Sequence, residues 1–170
     1  ILSHGSSDVF AKQWHDAQVP APYGGIDVKS MDGDFFNRIG GKSISEVAAN
    51  FAVRAPLTKK TIPFFDNFKK NSPNYPVYTA FFAYDSIFLY AEAVKRAGSF
   101  DTDKVIKELE KTRYEGVAGE ITFDENHDVM PGKGKTNLVF VQWQDKGERV
   151  VLFPKELRTG NFILPPWMKK

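Results

Sequence analysis

Gly132-Lys133-Gly134-Lys135-Thr136 is the segment most suggestive of chemistry, because a glycine-rich loop ending in Lys-Thr can cradle phosphates. That pattern needs a glycine at position 129, where Val129 stands, and a helix after the threonine to aim N–H groups at the anion. The residues after Thr136 read as a strand, so a solvated basic loop is the better reading. Asp124, Asn126 and Asp128 alternate as in a calcium loop, but Val129 replaces the turn glycine and Lys135 the bidentate glutamate. His4, His15 and His127 lack ligand spacing, cysteine is absent and no Gly-x-Ser-x-Gly elbow occurs. Asp124 and Glu125 share a turn instead of facing each other from converging strand ends, which does not make an acid–base pair. Neither a catalytic residue, a metal centre nor a cofactor motif is indicated.

Binding chemistry is available where strands end, since open α/β sheets hold ligands beyond the carboxyl ends of their strands. His4-Gly5-Ser6 and Tyr23-Gly24-Gly25-Ile26-Asp27 are two such ends, and Tyr84 with Asp85 near the start of a long helix is a third candidate. Together they offer an aromatic wall, hydroxyls, a carboxylate and helix N-terminal N–H groups, a mixture suited to a small zwitterion or carboxylate. Each has a plainer reading too. Tyr84 fits an apolar core stripe, Asp27 could cap the segment that follows, and His4 could be a satisfied strand-end histidine.

Composition narrows the classes. The 170 residues carry a net charge of +2, with 42% hydrophobic and 26% charged residues, as in ordinary globular proteins. No global field points at nucleic acid or an anionic membrane, and basic residues are not interleaved with aromatics on a strand. Without cysteine there are no disulfides or thiolate sites, which leaves the redox compartment open. No apolar run reaches the roughly 20 residues that span a bilayer. The chain opens Ile1-Leu2-Ser3 in what reads as the end of a buried strand, which suggests a fragment.

The elements that must position these residues follow from periodicity. Ser6, Ser7 and Asp8 are N-cap types ahead of a helix with Val9, Phe10 and Trp14 on one face. The helix stops before Pro20; Val19 to Tyr23 reads as extended and Gly24-Gly25 as a flexible turn. An irregular stretch with Phe35 and Phe36 closes at Gly40-Gly41, and Val47 to Val53 reads as a strand. Thr61 is placed to cap a short helix with Phe65 and Phe68 facing inward. The strongest helix runs from about Val77 to Ala97 and stops at Gly98, with Phe81, Tyr84, Phe88, Ala91 and Val94 as its apolar stripe. Asp101 or Thr102 caps the next helix. Ile121-Thr122-Phe123 reads as a strand ending in an Asp124-Glu125-Asn126 turn, and Thr136–Gln144 with Arg149–Phe153 as a hairpin. The order is that of an α/β protein with an antiparallel appendage.

The segment Ala83-Tyr84-Asp85-Ser86-Ile87-Phe88-Leu89-Tyr90-Ala91-Glu92-Ala93 with Arg96-Ala97-Gly98 resembles a helix of type I periplasmic binding proteins. Tyr114-Glu115-Gly116-Val117-Ala118-Gly119, Ile121-Thr122-Phe123-Asp124-Glu125-Asn126-His127-Asp128 and Val141-Gln142-Trp143 are similar to its later motifs, in order. The resemblance is to the C-terminal half of the branched-chain amino-acid (leucine/isoleucine/valine) type, which also includes amide, urea and aromatic-acid binders. It implies a type I periplasmic-binding-protein fold with two parallel-sheet lobes. Residues 1–28 would end one lobe, 29–135 would form part of the second, and 136–170 would make the return crossing, hairpin and tail.

Such a fold implies a small-molecule receptor that closes on its ligand between lobes and presents it to the permease subunits of an ABC importer. It would work in the periplasm or extracellularly, free or held by a lipid anchor. By position, Asp27 falls where amino-acid binders set a carboxylate against the ligand ammonium, and Tyr84 at a cleft tyrosine. His4 to Ser6 fall near another cleft position, with Tyr23 and Ile26 as weaker members. His127 stands where the family often has glycine, in a turn expected to be exposed. Two rivals are a ligand-sensing regulator of the amide-sensor type on the same fold, and a fragment that forms a swapped or self-complementary dimer.

Overall fold

The computed structural model describes residues 5–168; His4 and the strand expected before it lie outside the described residues. In chain order the elements are α1 (Ser6–Asp16), β1 (Gly24–Gly25), α2 (Phe35–Arg38), β2 (Val47–Asn50), α3 (Thr61–Asn71), α4 (Tyr78–Ala97), α5 (Thr102–Glu110), β3 (Tyr114–Glu115), β4 (Glu120–Ile121), β5 (Val139–Trp143) and β6 (Arg149–Phe153). They divide into two compact units, Ile1–Val53 with Leu138–Lys170, and Arg54–Asn137.

The first unit is built on a mixed sheet in the order β1-β2-β5-β6, with β1 parallel to β2 and the remaining pairs antiparallel. Gly24 and Gly25 are a strand here, not a flexible turn. A Cβ on Gly24 would collide with the carbonyl of Val47, so glycine lets the two backbones close up. The expected strand from Val47 to Val53 ends at Asn50, whose Oδ1 accepts the N–H of Ala52 (2.8 Å) and turns the chain away. Val19 to Tyr23 forms no strand. Its backbone is held instead by indoles, with Trp14 donating to Ala21 O (2.9 Å) and Trp167 to Val19 O (2.8 Å).

The core of this unit gathers Ala11, Phe35, Ile39 and Trp143, with Tyr23 and Phe36 packed against it. On α1 the buried face is Ser7, Ala11 and Trp14, at helical spacing, whereas Val9 (53% exposed) and Phe10 (44%) point outward. The expected side-chain cap is also missing: Gly5 holds the N-cap position, Ser7 faces inward and Asp8 pairs with Arg38 (3.0 Å). β5 and β6 form the expected hairpin, turning through Asp145–Gly147 with Lys146 and Gly147 at positive φ. Gln142 is fully buried and fully used. Its amide donates to Ser45 O and Ile163 O and its oxygen accepts from Ile163 N and Gln144, which ties the extended tail to the sheet.

In the second unit α4 runs almost as its period predicts, from Tyr78 to a left-handed Gly98 cap (φ 62°). Its buried face is Phe81, Asp85, Leu89 and Ala93, one residue round from the expected stripe; Tyr84 is 40% and Phe88 46% exposed. α5 is capped by Asp101, which accepts the Lys104 N–H at 3.1 Å. Thr61 caps nothing. Lys60 is the N-cap residue of α3, and the Thr61 hydroxyl donates to Val117 O at 2.7 Å. The short β3–β4 hairpin packs Tyr114 and Ile121 on Leu89, with Leu109 and Phe123 at its margin.

Candidate functional site

Asp27 lies two residues beyond β1, after the exposed run Gly24 to Ile26, yet only 2% of its own surface is exposed. Its Oδ1 accepts the N–H groups of Lys29 (3.0 Å) and Ser30 (3.2 Å), and the Ser30 hydroxyl donates to Asp27 O (3.0 Å). Asp27 therefore caps the 3-10 turn Lys29–Met31 with one oxygen. The other, Oδ2, is buried without a hydrogen-bond partner among the described residues.

Two more polar side chains meet Asp27. The Tyr23 hydroxyl and both carboxyl oxygens of Glu46 are buried beside it, again without a bond of regular geometry. Glu46 immediately precedes β2 and is fully buried. Burial first, and then the charge of Asp27, pushes its pKa up to about 8, against the opposing hydroxyls of Tyr23 and Ser30. Burial, followed by the neighbouring carboxylates, likewise raises the Tyr23 hydroxyl far above its ordinary range. The first unit thus holds a buried cluster of a phenol and two carboxyls, and no salt bridge among the described residues reaches either carboxyl. Glu46 was not anticipated. The available signal was a lone acid at the start of an otherwise apolar strand.

The other first-unit candidates surround this cluster unevenly. Tyr23 is half-buried, stacked edge-on to Phe10 (5.1 Å) and Trp14 (5.0 Å). Ile26 is 40% exposed and Ser6, the first residue of α1, is exposed. His4 lies outside the described residues.

In the second unit Tyr84 leaves the core and lies against Phe64 (5.0 Å) and Phe88 (4.8 Å), so it is an exposed aromatic and not a core residue. What fixes it is its neighbour. Asp85 is buried and accepts the Val117 N–H at 2.7 Å. Gly116 has no room for a Cβ because the Asp85 carboxylate occupies that space. Thr58, just before α3, and Thr61, its first residue, donate to Gly116 O and Val117 O, so they and Asp85 of α4 together hold the Gly116–Val117 segment after β3. Burial raises the Asp85 pKa, and the Val117 N–H acts against that rise.

The phosphate-loop and calcium-loop segments resolve as structure. Lys135 donates to Thr122 Oγ1 (2.8 Å), and Asp124 Oδ1 accepts the N–H groups of Asn126 and Asp128. His127 occupies the left-handed region (φ 66°), is exposed, and meets Glu110 at 3.1 Å. Among the described residues no group of three or more His, Asp or Glu could hold a metal ion.

Comparison with known proteins follows the same lines. The model of the periplasmic binding protein family matches residues 9–148. No curated protein matches the sequence significantly. Among solved structures, the leucine binding protein LivK of Thermotoga maritima is 21% identical with a TM-score of 0.69, covering 87% of this chain and 41% of that one. The substrate binding protein LivJ of Streptococcus pneumoniae, in complex with isoleucine, is 21% identical with a TM-score of 0.66, covering 86% and 42%. A solute binding protein of an ABC transporter from R. palustris, in complex with benzoate, is 17% identical with a TM-score of 0.71, covering 89% and 41%. The chain thus spans less than half the length of each of these structures.

Proposed function

The chain belongs to the periplasmic binding protein family, and on that premise we propose that it contributes to the receptor of an ABC importer. The receptor binds a branched-chain amino acid or a related small amide or carboxylate and presents it to the permease subunits. The family and the structures it resembles are solute-binding proteins, not enzymes. Among the described residues no helix is long and apolar enough to cross a membrane.

The observation that carries the ligand class is the free oxygen of Asp27. One carboxylate oxygen is used by backbone N–H groups, and the other is desolvated and unpaired. Such an oxygen gains most from a cationic donor, and a ligand ammonium supplies one. Tyr23, Ile26 and Ser6 are the accompanying ligand-binding candidates of the first unit, and Tyr84 that of the second. The solved structures in complex with isoleucine and with benzoate bracket the chemistry, a carboxylate with or without an amine.

Thermal-shift screening of the intact protein against amino acids, amides and aromatic acids tests the reading. Amino acids are expected among the hits, and a hit set confined to sugars or nucleotides overturns it. Asp27→Ala is expected to abolish binding of amine-bearing ligands and to spare simple acids. Unchanged affinity for both removes Asp27 from the site.

A further inference from the structure

Glu46 is a buried acid that the proposed binding chemistry leaves without a task. Its position is rigid. Glu46 N donates to Ser43 O (2.9 Å), Glu46 O accepts from Trp143 N (3.0 Å), and Ser45 N donates to Trp143 O (2.7 Å). These bonds fix its backbone at the junction of β2 with β5, and its side chain is fully buried there. Asp27 is pinned from the other side by Lys29 and Ser30. Two carboxyls held side by side at 0% and 2% exposure, with no regular hydrogen bond to three of their four oxygens and no salt bridge to either among the described residues, do not both carry charge.

We propose that Glu46 is the proton-holding partner of Asp27: the pair carries one shared proton when empty and releases it to solvent when an organic ammonium group takes its place. The exchange balances. One proton on two carboxyls leaves the pair at net −1, and replacing that proton by an ammonium leaves it at −1 again. No bond other than O–H is made or broken. An acid without an amine has nothing to exchange, so the pair selects amine-bearing ligands. The inference rests on the reading that Asp27 receives the ligand ammonium.

Charged groups of the neighbouring elements are engaged elsewhere: on α1, Asp8 pairs with Arg38 (3.0 Å) and Asp16 with Lys42 (2.7 Å). Lys29, on the 3-10 turn, directs its ammonium to Asp32 (3.7 Å). Arg149 of β6 donates to the carbonyls of Met31 (2.7 Å) and Asp32 (2.6 Å) and lies over the Trp143 ring (4.5 Å). β5 contributes no ionisable side chain, and the segment before β1 contributes Tyr23, whose hydroxyl stays protonated.

Since Glu46 titrates at about 8, affinity for an amine-bearing ligand is expected to rise about tenfold from pH 6 to pH 7 and to flatten above pH 8. Calorimetry of the intact protein with leucine at pH 7, in two buffers of different ionisation enthalpy, should count close to one proton released per leucine. 4-Methylpentanoate, which is leucine without its amine, should release none. Carboxyl carbon NMR of the ligand-free protein should show a glutamate titrating near pH 8 that is absent from Glu46→Gln. Leucine bound without proton release, or a ligand-free protein with no carboxyl titrating near 8, overturns the proposal while the Asp27 reading stands. Binding of 4-methylpentanoate but not leucine at every pH overturns the Asp27 reading and the exchange together. Should Glu46→Gln fail to fold, the wild-type proton count and NMR titration decide the matter alone.

Discussion

Replacing Glu46 by glutamine should make the first unit more stable at neutral pH, although it removes a native side chain. In the folded protein burial and the neighbouring Asp27 push the Glu46 pKa up to about 8, against 4.5 for a solvent-exposed glutamate. The folded state therefore binds more protons than the unfolded state between those values. Glu46 contributes stability that is fully present below pH 4.5 and is lost as the pH climbs through 8. At about 1.4 kcal/mol per pH unit, the loss at pH 7 is about 3 kcal/mol, growing to between about 4 and 5 at pH 8. Glutamine matches the neutral acid in shape and carries no such cost. Glu46→Gln should thus equal the wild type near pH 4.5 and exceed it by about 3 kcal/mol at pH 7.

The assay is urea unfolding followed by tryptophan fluorescence across this range. All three tryptophans, Trp14, Trp143 and Trp167, lie in the first unit, so the signal reports that unit and not its neighbour. An unchanged denaturant slope would confirm that only stability has moved. A difference between the two proteins that stays flat from pH 5 to pH 8 would refute the reasoning, because it would mean that Glu46 is charged in the folded state.

Asp85→Ala should destabilise the second unit by about 1–3 kcal/mol, because the Val117 N–H keeps its burial and loses its acceptor; hydrogen exchange at the Val117 amide would show it, and Asp85→Asn should lose less. Gly24→Ala drives a Cβ into the Val47 carbonyl and should cost about 1–3 kcal/mol, read by the same tryptophan-detected unfolding. His127→Gly should stabilise by up to about 1 kcal/mol in thermal melts followed by circular dichroism, since it relieves a left-handed backbone and gives up only an exposed pair with Glu110.

Much of this was legible along the chain. The 3.6-residue period and Gly98 located α4 to within a residue, Asp101 capped α5, and turn chemistry between two apolar runs marked the β5–β6 hairpin. The ordered motifs pointed to the family that the comparison found. Less legible was which side of α4 faces inward. Aromatic residues lie on two adjacent stripes, and the buried one contains an aspartate, which periodicity counts against burial. The Val117 N–H, brought from 32 residues away, with the Ala118 N–H and the Lys60 charge beside it, offsets that burial and so turns Tyr84 outward.

The candidate site divides in the same way. Asp27 beside two glycines at a strand end was readable, because strand ends and tight backbone turns leave local signatures. That Asp27 caps a turn with one oxygen and keeps the other free was decided by folding. So was the partnership with Glu46, which lies 19 residues later, immediately before β2, and is brought near Tyr23 and Asp27 by the pairing of β1 with β2. Local pattern determines where helices, strands and turns occur, because backbone preference and hydrophobic period act over a few residues. Which acids end up buried together depends on contacts between elements far apart in the chain, and only the tertiary structure supplies the low dielectric that makes those acids share a proton.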